Sequence, residues 1–209
     1  MQNKWNIGFS SWILNDGNYP VFYPEEQVEF ACWFYADEFK SSESSSKSAN
    51  LLGGAQYCVN AEVVYIDSEI FVIDFGILAY TSLVTENALL PGNDKTGRFR
   101  IAYDFQKSLK PGHMISAKLY LGIDYYPYFE RHCDNLLVPP MIYKWHLNKI
   151  EADFRKLVQL EGRVYGYTEP EPDWQTVDST YVGGGIVEFL LHCTRSVEPP
   201  HRDGQRLRD

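Results

Sequence analysis

The chain has 209 residues, of which 44% are apolar, and a formal net charge of −9. This length and composition are typical of a globular protein that buries its own core without needing disulfides or metals. The overall acidity disfavours a general nucleic-acid binder, because attraction to phosphate dominates that kind of affinity.

Alternating apolar and polar residues predict strands along most of the chain. Turn signals separate these strands: Asp67–Ser68 predicts a hairpin, and Pro111–Gly112 precedes a further strand. In chain order the predicted strands are 27–36, 57–66, 69–80, 98–106, 113–122 and 141–150, followed by two more in "GRVYGY" and "GIVEFLLHC".

One segment, residues 148–161, is compatible with either a helix or a strand. Its apolar residues Ile150, Phe154, Leu157 and Val158 fall at helical spacing, and Asn148 is suited to cap a helix. Short segments of this kind are easily misassigned. The sequence therefore predicts at most one or two short helices and leaves this segment open.

We expect a single β-rich domain over residues 1–195. Within it, the Ser-rich residues 40–50 cannot bury an apolar face, which predicts a flexible surface loop. The polar residues 196–209 predict a disordered C-terminal tail.

The predicted strands form an all-β fold, either an antiparallel barrel or a barrel-like sandwich. In strand count and spacing the central strands resemble an OB-fold, with an extra strand near 98–106. The resemblance implies that the loop joining the fourth and fifth strands borders the ligand face. That loop contains the stretch "DYYPYFERHCD", residues 124–134.

This aromatic stretch is the main candidate binding site. Pro127 restricts the backbone, which lowers the entropy lost on binding, and Tyr rings are enriched at interfaces. The alternative is that the rings plug the barrel end. The segment 97–160 has 6 acidic and 10 basic residues, a net charge of +4, and adds candidate cations. The candidate binding residues are Tyr125, Tyr126, Tyr128, Phe129, Glu130, Arg131, His132, Arg98, Arg100 and Lys144.

We find no catalytic fingerprint, and we predict no cofactor, no metal and no catalytic residue. A metal site at His132, Cys133 and Asp134 is disfavoured, because successive residues of an extended chain point in opposite directions. The chain contains no G-x-S-x-G motif. Its glycine run 183–185 precedes a β-rich stretch rather than a helix, which argues against a phosphate loop.

The sequence also predicts a cytoplasmic protein without a membrane partner. It lacks an apolar run of about 18 residues, and its first residues lack the apolar stretch of a secretory signal. Its four cysteines are far apart, as is usual for reduced thiols. A disulfide between Cys32 and Cys58 is the alternative.

Together these features predict a non-enzymatic protein that binds another protein. In size, acidity and expected location it is similar to inhibitors of the toxin-immunity type, an analogy of class and not of motif. One alternative is an OB-type binder of single-stranded nucleic acid that uses the basic segment 97–160. Another is an enzyme whose site is built from dispersed residues. The oligomeric state is not predicted.

Overall fold

A computed structural model describes most of the chain. The structure is 54% strand and 8% helix, which confirms that β-structure dominates. No helix in the described part has both the length and the apolar character needed to cross a membrane. The described residues are 3–15, 17, 19–83, 105–125, 128–155, 157–161, 164–167, 169, 171–181 and 187–202.

The chain divides into two compact units. We call Ala31–Met141 the barrel unit, and Asn3–Phe30 together with Ile142–Asp209 the sheet unit. The chain passes from the sheet unit into the barrel unit within one strand, Gln27–Ser41. The expectation of one domain over residues 1–195 stays a prediction.

Hydrogen bonding in the barrel unit closes on itself through five strands. Strand β2 pairs with β7, β7 with β4, β4 with β5, and β5 with β6. Strand β6 then returns to β2 in a parallel pairing of Cys32 with Ala79 and Trp33 with Tyr80. The strands are β2 (Gln27–Ser41), β3 (Ser48–Gly53), β4 (Gln56–Ile66), β5 (Ile70–Asp74), β6 (Leu78–Ser82) and β7 (Met114–Ile123).

The barrel is therefore mixed, and the predicted OB-like strand order is not confirmed. The sequence treated 69–80 as one strand and took the fifth barrel strand from 141–150. Instead the chain reverses between β5 and β6, where the Asp74 carboxylate accepts the Gly76 N–H (2.9 Å) and Gly76 has a φ of 117°. Asp and Gly are turn formers, but here they lie inside an apolar run that looks continuous.

Side chains alternate between the two faces of β2. Phe34 points into the barrel, where its ring meets Phe71 (5.6 Å) and Phe39 (6.2 Å) in edge-to-face contacts. Its neighbour Tyr35 points outward and is 53% exposed. The core of the barrel unit is thus built on the inward face of its strands.

The predicted strand at 98–106 falls largely outside the described residues. Only its last positions are described, and residues 105–108 form a helical turn. The ring of Phe105 stacks on Phe39 at 6.2 Å.

The Ser-rich loop is shorter than predicted. Strand β2 ends at Ser41 and β3 begins at Ser48, so residues 42–47 form the connection. Its hydroxyls bond locally, with the Ser44 N–H donating to Ser42 (3.2 Å) and the Ser46 N–H donating to Ser44 (3.2 Å). The flexibility of this loop stays a prediction.

An antiparallel four-stranded sheet organises the sheet unit, in the order β11–β8–β12–β1. One face is apolar and includes the fully buried Ile7, Ile150 and Leu191. Its elements are β1 (Lys4–Ser10), α1 (Ser11–Asn15), β8 (Ile142–Asp153), β11 (Trp174–Val177) and β12 (Glu188–Arg195), with a separate hairpin of β9 (Leu157–Glu161) and β10 (Val164–Tyr167).

The sequence left residues 148–161 undecided between a helix and a strand. Their described part is mainly extended, because it continues β8 to Asp153 and then forms β9. Ile150 and Ala152 are buried at alternate positions, whereas Phe154, which belonged to the proposed helical stripe, is 44% exposed. The two-residue period therefore decides the structure here.

The first residues of the predicted tail, 196–202, are described and make backbone hydrogen bonds to β8. The Ser196 N–H donates to the Lys144 carbonyl (2.9 Å), and His201 forms a bridge with Ile142 at the start of β8. The remaining tail residues, 203–209, lie outside the described residues. All four thiols are free, so the Cys32–Cys58 disulfide is not formed.

The alternation in β2 predicts opposite outcomes for adjacent substitutions. Phe34→Ala should lower the free energy of unfolding by about 3–5 kcal/mol, because it empties a fully buried site. Tyr35→Ala should lower it by less than about 1 kcal/mol, as is usual for surface positions. Urea unfolding of both variants measures this, and equal losses would contradict the inward and outward assignment.

Candidate functional site

The candidate site is the segment of residues 124–140 that follows β7, called here the 124–140 loop. It begins at Asp124, whose N–H donates to the Ala31 carbonyl at 2.9 Å. The Asp124 side chain is completely buried and accepts a short hydrogen bond from the Tyr80 hydroxyl on β6. A buried carboxylate needs such donors, so this contact fixes where the loop starts.

The barrel presents a row of four side chains to this loop. Strand register places Tyr65, Val72, Tyr80 and Trp33 side by side on β4, β5, β6 and β2. Because cross-strand partners share one face of a sheet, these side chains form a continuous surface.

The loop lies across that row. The ring of Tyr125 meets Trp33 edge-on at 5.7 Å, and Tyr80 contacts the rings of Tyr128 (6.3 Å) and His132 (6.4 Å). At the far end, the Tyr65 side chain is hydrogen-bonded to that of Asn135. The aromatic residues of the loop therefore anchor it to the barrel wall.

A π-helical turn, Tyr128–His132, holds the middle of the loop. The Cys133 N–H donates to the Tyr128 carbonyl at 2.8 Å, and the Tyr128 hydroxyl donates to the Pro139 carbonyl at 3.3 Å. Tyr128 is fully buried, and its hydroxyl links the turn to the end of the loop at Pro139.

A tight turn follows and points two leucines outward. The Asn135 N–H donates to the His132 carbonyl (3.1 Å), and the Asn135 side-chain oxygen accepts the Leu137 N–H (3.0 Å). The Val138 N–H closes the turn on the Asn135 carbonyl (3.1 Å), with the Val138 side chain buried. Leu136 and Leu137 are 82% and 77% exposed; we call this pair the leucine tip.

Two acidic residues of the turn between β4 and β5 lie near His132. Although burial acts to raise the pKa of Asp67, hydrogen bonds from the Ile70 and Glu69 amides and the Tyr65 hydroxyl hold it below its ordinary value. Burial lowers the pKa of His132, while the charges of Glu69 and Asp67 oppose that effect. The segment thus combines a buried imidazole with nearby carboxylates.

The Cys32 thiol, which the charge of Asp124 affects, is not reactive. Cys32 is buried on β2, and its burial together with the charge of Asp124 raises its thiol pKa. A thiol is nucleophilic only when it ionises, so Cys32 is a structural residue.

The structure separates the predicted binding residues. Tyr128 and His132 are buried and Tyr125 is half-buried, so the described rings anchor the loop to the barrel wall; that they plug the barrel end, the alternative interpretation, stays a prediction. The side chains of Glu130 and Arg131 are exposed. Four further candidates lie outside the described residues or side chains: Tyr126, Phe129, Arg98 and Arg100.

Lys144 belongs to the sheet unit and forms an ion pair with Glu198 at 2.8 Å. A hydrogen bond to Glu198 and the charge of that carboxylate raise the Lys144 pKa. Within the described ranges, no group of three or more His, Cys, Asp or Glu side chains is arranged to hold a metal ion.

The sequence interpretation overlooked the leucine tip. Its signal is the stretch "NLLVPP", in which an Asn that favours turns precedes two leucines and a Pro pair follows. An apolar pair held in a turn is a stronger interface signal than rings whose burial the sequence does not reveal.

Comparisons with protein-family models, with curated proteins and with solved structures gave no match.

The sheet unit contains a separate pair of carboxylates with opposite shifts. Burial raises the pKa of Glu188, and the charge of its cross-strand partner Asp153 adds to this. Burial also acts to raise the pKa of Asp153, but Arg155, bonded at 2.6 Å, holds it below its ordinary value. Such opposed pairs are found in acid–base catalysis, and this pair is where the dispersed-enzyme alternative would be tested.

Substitutions at the anchor Tyr128 and at the leucine tip should change the free energy of unfolding by different amounts. Tyr128→Ala should reduce the free energy of unfolding by about 3 kcal/mol or more, because it removes a buried ring. The double change Leu136→Ala with Leu137→Ala should reduce it by less than about 1 kcal/mol. Chemical denaturation of the purified variants checks this, and a large loss in the double variant would mean that the leucines pack on the protein itself.

Proposed function

We propose that the protein binds another protein through the leucine tip of the 124–140 loop. The observation that carries the proposal is the exposure of Leu136 and Leu137, 82% and 77%, on a turn whose backbone is fixed by hydrogen bonds. This keeps the predicted class of function and replaces the aromatic rings with the leucines as the contact residues.

Leaving these two leucines in water forgoes the free energy that burial would contribute, and binding to a partner would recover it. Each fully buried leucine contributes on the order of 1.5–3 kcal/mol relative to an exposed one. Isolated exposed leucines are ordinary on protein surfaces, whereas contiguous exposed apolar surface rimmed by polar residues marks interaction sites. The exposed side chains of Glu130, Arg131 and Asp134 supply such a rim within the same loop.

Anchoring of the loop favours binding. The buried Tyr128 ring, the Asn135 turn and the buried Val138 hold the backbone on both sides of the tip. A surface that is ordered before binding loses less conformational entropy when a partner arrives. The anchors thus prepare the leucines for contact.

The charge of the loop favours a protein over a nucleic acid. Residues 124–134 contain one Arg and no Lys, against Asp124, Glu130 and Asp134. Binding to single strands relies on several cations beside exposed rings, whereas the described rings here are buried or half-buried. A protein partner with an apolar pocket fits this surface better.

The proposal predicts that Leu136→Ser with Leu137→Ser abolishes partner capture. An interface residue that acts as a hot spot costs about 2 kcal/mol or more when truncated, or about 30-fold in affinity. Tagged protein would be used for affinity capture from a native lysate treated with nuclease, and the captured partner would then be titrated in purified form.

The chain offers a matched control in Leu51 and Leu52, an adjacent pair of the same unit that is 49% and 53% exposed. The Leu51→Ser, Leu52→Ser variant should capture the partner as the wild type does. Retained capture by the tip variant, or loss in both variants, would refute the proposed site. Capture that disappears with nuclease treatment and falls steeply with added salt would favour nucleic acid instead.

A further inference from the structure

His132 occupies a special position in the 124–140 loop. Its side chain is only 5% exposed, although His is often found at surfaces. Its ring packs against Tyr80 of the barrel wall, and its carbonyl accepts the Asn135 N–H that begins the leucine turn. The same residue thus contacts the barrel with its side chain and supports the leucine tip with its backbone.

We infer that His132 is a proton-operated latch, whose protonation releases the leucine turn from the barrel and so removes the binding surface. The release of the turn follows from the structure of the loop. Its effect on partner binding rests on the proposed function.

A charged ring is poorly accommodated where the neutral ring lies. The imidazole packs against the ring of Tyr80, and Tyr80 also donates to the buried Asp124 and contacts Tyr128. An imidazolium at this place would lose most of its hydration, and burial of a charge is unfavourable unless it is fully paired.

The charged groups near His132 would attract or repel the protonated ring. The carboxylates of Asp67 and Glu69 lie on the turn between β4 and β5, and Glu69 is exposed. Arg131 on the same π-helical turn repels an imidazolium. The titratable groups that surround the ring are Asp67, Glu69, Arg131, Tyr80, Tyr128, Cys133 and, through Tyr80, Asp124.

The sign of the pH effect follows from the pKa shift. Burial lowers the pKa of His132 below its ordinary value of 6.5 in the folded loop, so the folded state favours the neutral ring. The associated stability is present above pH 6.5 and is lost as the pH falls below it. Asp67 titrates far below this window, because its pKa lies under its ordinary 3.8.

Hydrogen exchange tests the latch without any partner. Amide exchange of residues 128–138 in the full chain would be compared at about pH 7.5 and about pH 5.5, after correction for intrinsic exchange rates. The open population should rise by up to about tenfold for each pH unit below the ordinary pKa of 6.5, and should level off once the pH passes the lower pKa of the folded loop. Equal corrected protection of this segment at both pH values would overturn the inference.

Variants connect the effect to the imidazole. His132→Phe keeps a ring against Tyr80 but has no titratable group, so its loop should stay protected at the lower pH. His132→Gln is a second non-titrating variant, should the first fail to fold. His113→Asn changes an exposed histidine of the same unit and should respond as the wild type does. An unchanged acid response in a folded non-titrating variant would overturn the latch.

Failure of the latch is distinguishable from failure of the proposed function. An acid-induced loss of loop protection, with partner capture that does not depend on Leu136 and Leu137, would leave the latch standing and refute the binding site. Partner capture that depends on the leucines but is equal at both pH values, with unchanged amide exchange, would refute the latch and leave the binding site standing.

Discussion

The structure of the barrel unit depends on one buried hydrogen bond, from the Tyr80 hydroxyl to the Asp124 carboxylate. The barrel closes through a parallel pairing of β6 with β2 that spans only the pairs Cys32–Ala79 and Trp33–Tyr80. So short a pairing gives little stability by itself. The bond to Asp124 links this closure to the end of β7, where the 124–140 loop begins, and a buried carboxylate without such a donor would be strongly unfavourable.

Everything proposed about function follows from this bond. Because Asp124 is fixed, the following residues lie across the wall formed by Tyr65, Tyr80 and Trp33, and their rings become anchors. The chain must then turn back, and the Asn135 turn leaves the leucine tip in solvent. The same arrangement buries His132 beside the carboxylates of the neighbouring turn. Closure of the barrel, display of the leucines and sensitivity to protons are thus consequences of one anchor.

The sequence predicted the strands well where the two-residue period is clear. The strand predicted at 27–36 and the hairpin at Asp67 are both present, since short-range patterns determine them. The break at Asp74–Ile77 was missed because apolar residues flank the turn on both sides. This one error changed the strand order, because it hid β6 and its parallel pairing with β2.

The sequence directed attention to residues 124–134 as the candidate site, but it did not direct attention to Leu136 and Leu137. An aromatic stretch after β7 was predicted to be functional, and the structure assigns its described rings to anchoring. Which rings are buried depends on Tyr80, which is 44 residues away from Asp124 in the chain. A single sequence carries no signal for that contact, so the exposure of Leu136 and Leu137 was not foreseen.

The most direct test of this account is a double-mutant cycle between Tyr80 and Asp124. The free energy of unfolding would be measured by urea denaturation for the wild type, Tyr80→Phe, Asp124→Asn and the double variant. The account predicts that the two changes are strongly non-additive, with a coupling energy of about 1.5–3 kcal/mol, as for a hydrogen bond to a buried charge. Additivity to within about 0.5 kcal/mol would mean that the bond does not hold the barrel and loop together, and would contradict the account.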